Sequence, residues 1–66
     1  MKTFQVIEIG RKVKIMTDIG DNQEGFISAI EIRNISISYE VIYWNAGERK
    51  SVWINDWEIK SEINGN

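Results

Sequence analysis

The chain of 66 residues contains no cysteine, no histidine and no proline. Without cysteine there is no disulfide and no thiolate ligand for a metal, which fits a reducing compartment. Without histidine as well, the commonest general base, the usual zinc ligands and the thiol nucleophile are all missing, so the sequence reads as non-catalytic and cofactor-free. Without proline, the punctuation falls to five glycines and to Asn and Asp. No apolar run approaches membrane-spanning length, and the opening MKTFQVIEIGRK lacks the apolar centre of a signal peptide, so the expected location is the cytoplasm. An excess of positive charge is absent too. Eight basic residues stand against ten acidic ones, net charge −2, which disfavours nucleic acid as a partner because that binding draws on clustered Lys and Arg.

What is present is a folded, strand-rich chain. Hydrophobic residues make up 42% and charged residues 27%, the balance of a globular domain, and residues 1–66 are enough for one core only. A domain this short buries only about 60% of its chain surface, and with no disulfide available a homo-oligomer is the expected way to bury more. Isoleucine and valine dominate, mostly at period two, which favours strands.

The spacing predicts a first strand over Thr3–Ile9, a second over Lys12–Met16, and a loop over the polar run Thr17–Glu24. A third strand follows from Gly25 to Ile32. Phe26, Ile27, Ala29, Ile30 and Ile32 do not alternate cleanly, which predicts a bulge or strong bend. A turn over Arg33–Ser36 leads to a hairpin, Ile37–Trp44 and Arg49–Ile54, around Asn45-Ala46-Gly47-Glu48. Asn55-Asp56-Trp57 reads as a 3₁₀ turn, Glu58-Ile59 as a short last strand, and residues 60–66 as a flexible polar tail.

Parity sets the hairpin faces. An even loop opposes Trp44 to Arg49, Val41 to Val52 and Tyr39 to Ile54, and a one-residue slip would move every side chain to the wrong face. Tyr39 and Tyr43 then point inward as core. Trp57 is expected to pack the 3₁₀ turn over the end of the barrel. Trp44 and Trp53 are expected outside, and large rings left in water point to an interface or a ligand. Arg49, Arg33 and Lys50 are the cations expected to work beside them on a carboxylate or phosphate. Asp18, Asp21 and Glu24 share the polar run but lack EF-hand spacing, and no metal site is assigned to them.

Gly10 with Val13 and Ile15, Gly25-Phe26-Ile27 with Ile30, Tyr39-Glu40-Val41, and Trp57-Glu58-Ile59 together resemble the SH3-like small β-barrels, including Tudor and KOW types. The YEVIYW hairpin with its WEI close is most similar to short bacteriophage and prophage barrels. The resemblance implies an all-β barrel of five to six strands with one 3₁₀ turn before the last. It says little of function, since one fold hosts many activities. Two functions compete on these residues. The first is a non-catalytic module, expected to be a small phage or prophage protein, that grips a protein partner through Trp44, Trp53 and Arg49. The second is an oligomer that sequesters a nucleotide-like signalling ligand between subunits, with a base on an indole and phosphates on Arg49 or Arg33.

Overall fold

A computed structural model describes residues 6–17 and 20–63. Five strands make one antiparallel sheet: β1 (Lys12–Thr17), β2 (Gly20–Arg33), β3 (Ser36–Asn45), β4 (Glu48–Asn55) and β5 (Ile59–Glu62). Their spatial order is β4-β3-β2-β1-β5, and a single 3₁₀ turn, Asp56–Glu58, links the two edge strands. Among the described residues the edges do not pair with each other, so the sheet is not closed. This is the all-β architecture with one 3₁₀ turn that the strand pattern predicts.

The hairpin register follows parity. Trp44 faces Arg49, Val41 faces Val52 and Tyr39 faces Ile54. Ala46 and Gly47 close it, both at positive φ (53° and 79°), the mirror-image turn whose twist matches that of the flanking strands. The predicted bulge falls at Ser28. Ile27 pairs with Val41 and Ala29 with Glu40, leaving Ser28 as the extra residue. Its hydroxyl donates to the Glu40 carboxylate at 2.8 Å, which gives the bulge a side-chain anchor.

One face of the sheet carries the core: Val13, Ile15, Ile27, Ile37, Tyr39, Val41, Tyr43 and Ile54, all buried, with Ile7, Ile30, Val52 and Ile59 packed against them. Tyr39 is 1% exposed, and its hydroxyl accepts a hydrogen bond from the backbone N–H of Ile7 at 3.0 Å. That bond ties the segment before β1 to the core. Gly10 N–H to the Ile27 carbonyl (2.7 Å) does the same for the turn that follows.

Four expectations are corrected. Of the predicted first strand, residues 3–5 lie outside the described residues, and Val6–Ile9 forms no strand; it is held by the Tyr39 hydroxyl and core packing instead. The run Thr17–Glu24 is not a long loop. β2 begins at Gly20, and Gln23 and Glu24 pair with Ile15 and Lys14, because ladder bonds outweigh weak strand propensity once a partner strand is in place. The polar tail begins later than residue 60: β5 runs to Glu62, and the Ile63 N–H donates to the Lys12 carbonyl at 2.8 Å. Trp57 does not pack over the end of the core as expected. It is 74% exposed, because the turn that carries it rolls its side chain outward.

Candidate functional site

The face opposite the core is built by three rows that cross the strands. The central row is Lys12, Phe26, Ile42 and Ser51 on β1, β2, β3 and β4. On one side of it Trp44 faces Arg49; on the other, Ala29, Glu40 and Trp53 align. The alternation that sends Tyr39, Val41 and Tyr43 inward therefore delivers Glu40, Ile42 and Trp44 to this face.

Trp44 and Trp53 are 52% and 51% exposed, so both indoles stand out of the sheet as the parity argument predicts. They are not equivalent. The Trp44 ring lies 6.0 Å from the Phe26 ring at 30°, a stacked pair of a kind that contributes about 0.5–1.5 kcal/mol beyond area burial. Ile42, between Phe26 and Ser51 in the register, is only 3% exposed although it faces away from the core. Phe26, Ile42 and Trp44 thus gather as a second small apolar group on the outer face of the sheet. Among the described residues Trp53 makes no ring contact of this kind; it lines a hollow together with Met16, Tyr43, Val52 and Glu58.

A shallow groove lined by Glu40, Ile42, Arg49, Lys50 and Ser51 lies between the two rows that carry the indoles, although neither ring lines it. The rows holding the indoles are four residues apart along the strands, or roughly 13 Å at strand rise. Ser51 is the small residue that leaves the floor open. Charge around it is mixed: Lys12, Lys14 and Arg49 share the face with Glu24 and Glu40, a locally cationic balance on a chain of net charge −2.

Of the cations predicted for the site, only Arg49 sits beside an indole, and it forms no ion pair among the described residues. Lys50 is opposite Tyr43, one residue off parity, and its ammonium pairs with Glu48 at 3.5 Å. Arg33 is at the β2–β3 turn, opposite Ser36 at the far end of β3 from Trp44, and pairs with Glu31 at 3.2 Å. The reading of the sequence missed Phe26, Ile42 and Lys12. Alternation on β1 and β3 was the signal for Lys12 and Ile42, and the bulge was the signal for Phe26: upstream of Ser28 the faces of β2 reverse, which sends Phe26 outward.

Among the described residues no group of His, Cys, Asp or Glu could hold a metal, and no helix is long and apolar enough to cross a membrane. No protein-family model, curated protein or solved structure matches the chain.

Proposed function

We propose that this domain is a non-catalytic binding module that grips an extended protein segment across its outer face. The observation that carries the reading is the pair of half-exposed indoles on the strand rows that flank an open groove, with Arg49 at one end in no ion pair among the described residues. Indoles and guanidinium groups are the side chains that dominate interface energetics. The groove floor of Ile42 and Ser51 suits an apolar side chain, and Arg49 suits a carboxylate of the same segment.

Selection from a random-peptide library on the immobilised domain tests this. Enriched peptides should combine an apolar or aromatic residue with a nearby Asp or Glu. Trp53→Ala should lower their affinity by about 30-fold, the effect of losing roughly 2 kcal/mol of an anchor, without lowering the melting temperature. No enrichment, or enrichment indifferent to Trp53 and Arg49, would overturn the reading. A nucleotide-like ligand is the competing occupant, because Trp44 and Arg49 face each other across the hairpin as a base and a phosphate would require. A melting-temperature rise with a nucleotide panel, lost in Arg49→Ala, would select that ligand instead.

A further inference from the structure

β4 is an edge strand of eight residues, ERKSVWIN, and among the described residues nothing pairs with its outer side. Such an edge presents a row of N–H and C=O groups that templates another strand. Proteins protect edges with proline, bulges, short length or charged side chains; β4 has no proline, keeps an unbroken register with β3, and carries its charges, Glu48, Arg49 and Lys50, at one end only.

The turn decides which backbone groups are offered. In an antiparallel ladder, residues that exchange hydrogen bonds with the partner alternate with residues whose backbone groups face away. Asn45 and Glu48 close the two-residue turn and are therefore a bonded pair. Counting from Glu48, Lys50, Val52 and Ile54 direct their backbone groups to β3. Arg49, Ser51 and Trp53 direct theirs to the open edge.

We infer that β4 pairs antiparallel with β4 of a second copy of this chain, about a two-fold axis through Ser51. A two-fold axis normal to the sheet keeps outer faces on the same side, so opposed residues must share parity. A register centred on Arg49 or Lys50 sets like charges against each other at the axis. One centred on Val52 opposes Arg49 to Asn55 and leaves the indole without a cation. The register centred on Ser51 opposes Arg49 to Trp53 twice and Lys50 to Val52 twice. Each guanidinium then lies between two indoles, Trp44 of its own hairpin and Trp53 of the other copy, with Glu40 of that copy next in the row. The outer faces join into one surface that carries two copies of the groove. Pairing of β4 with β5 of another copy would instead propagate head to tail, but β5 offers only four residues.

Sedimentation equilibrium of the full chain tests this apart from any partner. The mass should rise with concentration from 7.7 kDa to twice that value and stop there. Ser51→Pro removes an N–H that faces the open edge and none that bonds to β3, so the variant should keep the wild-type circular dichroism spectrum and stay monomeric. Ser51→Lys sets two like charges at the axis and should do the same. Arg49→Ala should weaken the dimer about ten-fold. A wild-type mass of one chain up to about 1 mM, a larger ring, or a dimer that survives Ser51→Lys would overturn the inference. Unfolding of Ser51→Pro would refute the assignment of backbone groups on which it stands.

Discussion

Gly25 is the position where one added methyl group should do most damage. It sits in the middle of β2, opposite Val13 on β1 and Tyr43 on β3, where three strands come together. A Cβ there would lie 2.5 Å from the Ile42 carbonyl oxygen, 2.7 Å from Val41 Cγ1 and 3.2 Å from Tyr43 Cβ. Ordinary contacts between such atoms are about 3.5 Å or more, so β3 must withdraw by about an ångström. It cannot do so freely, because it is laddered to β2 on one side and β4 on the other. Overpacking costs about 1–3 kcal/mol, and a clash with backbone belongs at the top of that range. Alanine recovers about 0.4–1 kcal/mol by restricting the unfolded chain. Gly25→Ala should therefore lose about 2 kcal/mol, a fall of about 8–16 °C in melting temperature for a domain of this size. The total stability expected of such a chain is only about 3–10 kcal/mol, so the loss is a large fraction of it. Gly20→Ala is the control. Among the described residues nothing lies within 4 Å of a Cβ built there and its φ is ordinary, so it should gain about 0.4–1 kcal/mol. Urea unfolding followed by tryptophan fluorescence reads both variants. A Gly25→Ala midpoint equal to wild type, or an equal loss at Gly20, would refute the close-approach argument.

Three other outcomes follow from the same geometry. Tyr39→Phe should cost about 1 kcal/mol by removing the acceptor of the Ile7 N–H, and hydrogen exchange at Ile7 should speed up while exchange in β3 is unchanged. Trp57→Ala should change stability by less than about 0.5 kcal/mol, since its ring is 74% exposed; a larger loss in thermal unfolding would restore the barrel-capping role expected from the sequence. Trp44→Ala and Trp53→Ala should differ: the first loses the Phe26 contact and uncovers Ile42, costing about 1–2 kcal/mol, while the second stays within about 0.5 kcal/mol in the same denaturation assay.

The hairpin was legible in the sequence because two strands and their turn constrain one another. A slip of one residue would oppose Val41 to Ser51 and Tyr43 to Arg49 and turn Val52 and Ile54 outward, so a single register satisfied both patterns. The outward placement of Trp44 and Trp53 followed from it without further assumption. The bulge at Ser28 was legible as a break in alternation. Its consequence for Phe26 was not, because parity upstream of a bulge depends on which residue is extra, and Ser28 was fixed there by a bond to Glu40 on another strand. The polar run before Gly25 read as loop for a similar reason: its strand character comes from backbone pairing with β1, which side-chain pattern does not record.

Arg33, Lys50 and Trp57 show the limit of the same reasoning. Arg33 and Lys50 entered the candidate site by proximity in sequence and by charge. Strand geometry separates Arg33 from it by the length of β3, whereas Lys50, one residue off parity, lines the groove with its ammonium held on Glu48. Trp57 lies on a three-residue turn, too short for any period to orient a side chain. The residues that remain, Trp44, Trp53 and Arg49, are those whose position parity alone decides. The same alternation along β4 that turns the Arg49 and Trp53 side chains to the outer face turns their backbone groups to the open edge. The proposed binding face and the backbone groups offered at the free edge are thus both set by a two-residue turn, and an insertion of one residue between Ala46 and Gly47 that shifts the register should change both together.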